Sequence, residues 1–327
     1  MTTLMKAIVL DGPGDPDVLQ LREVPRPIPQ LGWVLIQIKS FGLNRSELHF
    51  RRGMGSFGSF PRIPGLEATG VVVEAPGGEF EPGTQVAAIM GGMGRTIDGG
   101  YAEYVSVPGE LVIPFHSDLG WDVLGALPEM VQTASGSLWV GVDAKPGDTI
   151  LIRGGSSSIG LAATALAKHA GIKVISTTRN PAKVAQLEAA GATHVVIDNG
   201  EIAAQVRELM PEGVAGAIEL VGTNTLADTL KATATHGTVC FTGMLSDQWT
   251  IPDFYPMDYI PNGVRLTAYS GGYNDLAPEA LQEIIDAVAA GEISFPIGKV
   301  YRLEEIVQAH EDMESGAVTG KVVVVNS

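Results

Sequence analysis

One stretch constrains this chain more than any other. Residues 149–152 (Thr-Ile-Leu-Ile) read as a strand buried on both faces, and small residues fill the next positions, 154–160. Ile159, Ala163, Leu166 and Ala170 then recur at helical spacing, and Gly171 suits the position just past a helix end. A strand, a tight glycine turn and a helix, in that order, bring backbone N–H groups and the positive end of a helix to one point. That geometry binds phosphate, and in a parallel sheet it is where the pyrophosphate of a dinucleotide lies.

The usual pattern there is G-x-G-x-x-G. Gly155, Ser157 and Gly160 occupy its three places, so the second glycine is a serine, whose hydroxyl offers a phosphate oxygen a further donor. The predicted pyrophosphate contacts are Gly155, Ser156, Ser157, Ser158, Ile159 and Gly160. The competing reading is a helix capped by Ser156, Ser157 or Ser158 with no ligand. The downstream sequence favours the nucleotide. Residues 172–177 form a second strand, and Asn180-Pro181 opens a helix with Val184 and Leu187 inward. Gly191 ends that helix, and 194–197 form a third strand, giving β-α-β-α-β, one nucleotide-binding half.

An NAD site expects Asp or Glu about 20 residues beyond the turn, to bind the ribose 2′-hydroxyl. Here the second strand ends Ser176-Thr177-Thr178-Arg179, and no carboxylate occurs between Ile172 and Ala185. Thr178, Arg179 and Lys183 would instead give charge-assisted hydrogen bonds to a 2′-phosphate. The sequence therefore predicts NADPH over NADH. Its alternative is that Arg179 and Lys183 are solvated surface charges.

The length of 327 residues suggests two domains. Residues 1–125 are rich in strands (5–10, 18–23, 33–40, 70–74 and 85–90) separated by Pro and Gly turns, as in a small β-barrel or folded sheet. Residues 124–141 read as helix. Strands at 215–220, 237–242 and 264–268 with a helix at 225–232 extend the parallel sheet. After Gly271 come a helix at 277–290, a strand at 299–301, a helix at 303–313 and a strand at 321–325. The expected organisation is a β-rich domain, 1–125 with 272–327, interrupted by a doubly wound α/β Rossmann domain at 126–271.

A net charge of −16 opposes nucleic acid and anionic membranes as partners. No apolar run approaches the length of a membrane span, and the apolar residues 7–10 read as strand, not as signal peptide. The single cysteine, Cys240, lies in an apolar run and reads as a small core residue. With no intramolecular disulfide possible, a reducing, cytoplasmic location is expected.

Several residue groups, in one order along nearly the whole chain, add a family. They are Gly42-Leu43-Asn44-Arg45-Ser46-Glu47, Pro64-Gly65-Leu66-Glu67-Ala68-Thr69-Gly70, Gly99-Gly100-Tyr101-Ala102-Glu103-Tyr104, Lys145-Pro146-Gly147-Asp148, the turn at 153–160, and Gly316-Ala317-Val318-Thr319-Gly320-Lys321. Together they resemble the medium-chain dehydrogenase/reductase superfamily, in particular its zinc-free quinone oxidoreductase (zeta-crystallin-like) branch. The resemblance implies a GroES-like catalytic domain, a Rossmann domain, a cofactor in the cleft between them, and a homodimer. Zinc enzymes of the superfamily take ligands from a Cys and from the His of Gly-His-Glu, places held here by Asn44 and Leu66. A third ligand falls near Glu129, and one cysteine cannot build the structural zinc lobe. No metal is expected.

Without a metal, developing oxyanion charge must be met by hydrogen-bond donors. The resemblance puts Asn44 beside the nicotinamide and the substrate oxygen; its alternative is a turn-shaping residue. His49 stands where relatives carry a proton-relay histidine or a tyrosine, or else it is an exposed loop histidine. Val221-Gly222 and Thr242-Gly243-Met244 end the fourth and fifth strands, at the carboxyl edge where ligands bind, and should face the nicotinamide. Lys321 either closes over the cofactor or is a solvated strand start. Residues 54–60 are expected to rim the pocket, and Glu67 and Tyr104 to be structural. The reaction implied is hydride transfer from NADPH to a quinone or an α,β-unsaturated carbonyl. Its rivals are an alcohol or aldehyde dehydrogenase and a non-catalytic NADPH-binding protein.

Overall fold

The computed structural model describes residues 3–54 and 58–326, so the expected pocket rim at 54–60 falls partly outside the described residues. The chain forms two units: Met1–Glu129 with Gly272–Ala290 and Ile297–Ser327, and Met130–Gly271 with Gly291–Pro296.

In the first unit β1 (Leu4–Val9) pairs antiparallel with β2 (Gln20–Pro25). β3 (Trp33–Gly42) is the spine of the larger sheet, and its Val34, Ile36 and Ile38 are wholly or almost wholly buried. Helix α1 (Arg45–Arg51) follows, a short helix that hydrophobic periodicity does not reveal. Next come β4 (Glu67–Glu74), β5 (Gln85–Ile89), β6 (Tyr104–Pro108) and β7 (Val112–Pro114). β3 pairs antiparallel with both β4 and β6.

The stretch 124–141, expected to be helical with Pro128 early, is helical except at 125–127: α2 (Trp121–Leu124) ends there, α3 (Pro128–Ser135) starts at the proline, and a π-helical stretch, Gly136–Val142, runs on from it. Pro128 causes the break, because its ring disfavours helix in the residue before it and it has no N–H to donate. At Gly136 the ring of Tyr269 leaves no space for a side chain: a Cβ there would lie 1.9 Å from it.

The second unit is a six-stranded parallel sheet in the order β10-β9-β8-β11-β12-β13. The strands are β8 (Thr149–Arg153), β9 (Lys173–Thr178), β10 (His194–Ile197), β11 (Val214–Glu219), β12 (Thr233–Phe241) and β13 (Arg265–Ala268). Between them run α4 (Ser158–His169), α5 (Val184–Ala190), α6 (Ala203–Leu209), α7 (Thr223–Ala232) and α8 (Pro256–Tyr259). Ile150, Leu151 and Ile152 are fully buried, as a strand covered on both faces requires. Strand order reverses beside β8, which places the topological switch point at its carboxyl end.

The chain then returns to the first unit as α9 (Pro278–Ala289), β14 (Ile297–Arg302), α10 (Ile306–Ser315) and β15 (Lys321–Val325). β15 pairs antiparallel with β3 and parallel with β14. Among the described residues, no helix is long and apolar enough to cross a membrane.

Candidate functional site

In the second unit the glycine turn joins β8 to α4. The Gly155 N–H donates to the Thr177 carbonyl at 3.0 Å, which ties the turn to β9. A Cβ at Gly160 would lie 2.6 Å from the Gly155 Cα, and one at Gly155 would lie 1.8 Å from the Ser176 Oγ. Both glycines are therefore required by close approach of helix, turn and strand. Ser157 caps α4: its Oγ accepts from the Gly160 N–H at 3.1 Å and donates to the Gly154 carbonyl at 2.8 Å. The hydroxyl hydrogen expected to serve a phosphate is thus spent inside the turn, and the capping reading of Ser157 is correct as far as it goes. The turn still suits an anion. Ser158 and Ile159 are the first two helical residues, whose N–H groups have no carbonyl one turn back, and Ser156 to Ile159 are all part-exposed. Ser176 Oγ, buried against Gly155, has no hydrogen-bond partner among the described residues.

Thr178 ends β9. Its hydroxyl accepts from the Asn180 N–H at 3.1 Å and so shapes the bend that leaves Arg179 exposed and Lys183 half-exposed beyond it. Asn180 then caps the short turn Pro181–Lys183, ahead of α5. The nearest acid to this edge, Asp198, is already taken. Arg153, the last residue of β8, is fully buried and donates to both Asp198 oxygens at 2.9 Å, to Asp228 at 2.8 Å and to the carbonyls of Thr225 and Gly200. Burial opposes the Asp198 charge, but the Arg153 guanidinium holds its carboxyl below the usual value.

The ends of β11 and β12 lie together, because the Thr242 and Gly243 N–H groups both donate to the Glu219 carbonyl at 3.0 Å. Gly243 touches the Leu220 backbone, where a Cβ would come within 2.5 Å of the carbonyl oxygen. The buried Glu219 carboxylate accepts from the Val221 and Gly222 N–H groups at 2.7 and 3.2 Å, fixing the start of α7. The Thr242 hydroxyl faces inward, 2.9 Å from Ser137 Oγ and 3.3 Å from Cys240 Sγ. Val221, Gly222, Gly243 and Met244 sit at the carboxyl edge of the sheet, as their strand positions require. Cys240 is fully buried, a core residue.

The first unit holds a buried polar cluster. Asn44 is the N-cap residue of α1, and the Glu47 carboxylate reaches back to accept from its backbone N–H at 2.9 Å. Glu47 also accepts from the Leu66 N–H at 3.1 Å and from Asn44 Nδ2 at 3.3 Å. Asn44 Nδ2 donates to Glu67 Oε1 at 3.0 Å, and its Oδ1 accepts from Lys321 Nζ. Lys321 Nζ lies 3.1 Å from Glu67 and 3.4 Å from Glu129, and the other Glu67 oxygen accepts from the Glu129 N–H at 2.9 Å, at the start of α3. Burial raises the Glu67 carboxyl above its ordinary value and pushes Glu47 up to about 7. Burial opposes the Lys321 charge, but Glu67 and Glu129 outweigh it and hold its pKa above the usual value.

Two of the alternatives are therefore corrected. Lys321 is not a solvated strand start, because it is 1% exposed and tied to two carboxylates. His49 is not an exposed loop residue, because it lies on α1 at 7% exposure. Sequence reasoning missed Arg153 and the joint burial of Glu47, Glu67 and Glu129. The available signals were an arginine at the end of an apolar strand and Asn44 followed three residues later by Glu47.

Residues 30–117 match the alcohol dehydrogenase GroES-like domain, and residues 158–290 match the zinc-binding dehydrogenase domain. The quinone oxidoreductase of Lama guanicoe is 30% identical over 98% of this chain and 97% of its own length. Among solved structures, mycobacterial Rv1454c complexed with NADPH superimposes with a TM-score of 0.86 at 28% identity, covering 98% of this chain and 99% of that one. An NAD-dependent alcohol dehydrogenase superimposes with a TM-score of 0.87 at 25% identity, covering 98% and 99%.

Proposed function

The chain belongs to the quinone oxidoreductase branch of the medium-chain dehydrogenase/reductase superfamily, and from that premise we propose an NADPH-dependent reductase of quinones, or of the related α,β-unsaturated carbonyls, that works without zinc. One observation carries the cofactor: an amide-lined turn at 154–160, beside a strand end that offers an exposed Arg179 and no carboxylate. Gly155 and Gly160 let strand, turn and helix close up into the cradle, since a side chain on either would collide with its neighbours. Arg179, Lys183 and Thr178 are the proposed 2′-phosphate residues, and Val221, Gly222, Thr242, Gly243 and Met244 the proposed nicotinamide edge. When bound, NADPH supplies the hydride from its C4.

Zinc does not fit the first unit. The places of its ligands hold an amide, a leucine and a carboxylate, and the Lys321 ammonium already supplies the cation beside Glu67 and Glu129. Asn44 is the proposed donor to the acceptor oxygen. Lys321 and Glu67 fix the direction of its amide, and its longer contact, 3.3 Å to Glu47, is the one an acceptor oxygen would displace. His49, one turn further along α1, is the proposed proton relay.

We further propose a cytoplasmic homodimer. The single buried cysteine suits a reducing compartment. β13 is an edge strand, and Trp249, Phe254, Tyr255 and Met257 are exposed on the segment before it. The function is tested by following NADPH oxidation with quinones and enones, and NADP+ reduction with alcohols, with a metal chelator present in each. Turnover with quinones or enones is expected. Reaction only with alcohols, or loss of activity to the chelator, overturns the reading.

A further inference from the structure

Reducing a quinone or an enone adds a hydride and a proton, and the second of these needs a source. The first unit packs three carboxyls, Glu47, Glu67 and Glu129, around one ammonium, Lys321. Fully ionised, the four groups would carry a net charge of minus two. Glu47, Glu67 and Lys321 are each 1% exposed, and burying unpaired charge costs far more than taking up a proton. A second cation, Arg95, makes no ion pair with a carboxylate among the described residues, although its charge partly offsets the rise that burial causes at Glu47. Arg95 donates to the carbonyls of Ser46 and Gly94 and to Ser46 Oγ, and its guanidinium lies over the Phe50 ring. Tyr101, also near Glu47, is held neutral by burial and hydrogen-bonded to His310. Gly42 makes room for the cluster, since a Cβ there would lie 2.3 Å from Lys321 Cε and 2.6 Å from Glu67 Oε1. Of the three acids only Glu129 keeps an opening, with 11% of its side chain exposed against 1% for that of Glu67.

We propose that Glu47, Glu67, Glu129 and Lys321 form a proton store that protonates the reduced acceptor, with Glu129 as the group through which protons enter and leave. The hydride brings the acceptor a hydrogen and an electron pair, leaving negative charge on its oxygen. One carboxyl O–H of the cluster then breaks, its electron pair stays on the carboxylate, and its proton forms the new bond to the acceptor. Water reprotonates the cluster through Glu129. Because the groups are coupled, the proton belongs to the cluster as a whole. The raised value of Glu47, about 7, is what such a store needs near neutral pH.

This inference rests on the reductase reading, so its test has a readout apart from turnover. Infrared spectra of the whole protein, titrated between about pH 5 and about pH 9, report the carbonyl stretch of any protonated carboxyl. The wild type should show such a band, lost with a midpoint near 7, and Glu47→Gln should abolish that step. Glu129→Gln should keep the band but lower kcat at neutral pH about 10- to 100-fold and flatten its pH profile. NADPH binding to each variant, read by fluorescence, confirms that it is folded. No titrating band in the wild type, or an unchanged pH profile in Glu129→Gln, overturns the proton store. If the band is present but quinones and enones are not reduced, the buried protonated carboxyl stands, and the reductase reading falls together with the role proposed for the cluster.

Discussion

At the scale of residues, the glycine turn between β8 and α4 was legible as a strand-turn-helix because its rules are local. Gly155 and Gly160 meet neighbours supplied by the same strand-turn-helix unit and the next strand. Buried charge was not legible. Asn44 and Lys321 touch across 277 residues of sequence, and nothing near Lys321 marks it as internal except the apolar Val322, Val323 and Val324 that follow. The same holds for His310 on α10, which is wholly buried with Nε2 3.0 Å from the Tyr101 hydroxyl. Burial, aided by the Arg51 charge, lowers its pKa from 6.5 to about 3. The unfolded chain binds a proton there at ordinary pH values that the folded chain refuses. Its contribution to stability is therefore present above about 6.5 and is lost as pH falls towards about 3. Acid unfolding followed by circular dichroism should show this loss, and His310→Gln should make stability fall less steeply over that window.

At the scale of elements, short apolar runs made β8 and β11 readable, since a strand buried on both faces needs no alternation. The stretch 124–141 reads as helix and is helical apart from 125–127, just before Pro128; its change to π-helical winding at Gly136 leaves no mark in the hydrophobic pattern. α1 and α6, at seven residues each, are too short to show a period. The carboxyl edge of the Rossmann sheet depends on Arg153, which joins β8 to Asp198 after β10 and to Asp228 on α7. Thr177 extends the link: its hydroxyl accepts from the Gly154 N–H at 3.1 Å and donates to Asp198 at 3.5 Å. Arg153→Met strands two carboxylates and should cost about 3–5 kcal/mol in denaturant unfolding, with weaker NADPH binding. Arg153→Lys should lose less, because one charge contact survives. Equal stability of Arg153→Met and wild type would show that the network contributes little.

At the scale of the whole molecule, both ends of the chain build the β-rich unit, and the parallel sheet is contributed by the middle. The sequence suggests such an order in its change from closely spaced strands to alternating strand and helix, and back, with bounds that differ: residues 126–129 fall in the first unit and 291–296 in the second. Assembly was not visible, because an edge strand and exposed aromatics mark a surface without naming its partner. The proposed homodimer predicts twice the chain mass by light scattering, and a monomer at micromolar concentration would refute it. The central claim is that the turn at 154–160 and Arg179 together hold NADPH. The most direct test is the ratio of kcat/KM for NADPH to that for NADH, in the wild type and in Arg179→Ala. The account predicts a preference for NADPH of about 10-fold or more, removed in the variant through a higher KM for NADPH with NADH unaffected. Equal use of the two coenzymes by the wild type would contradict it.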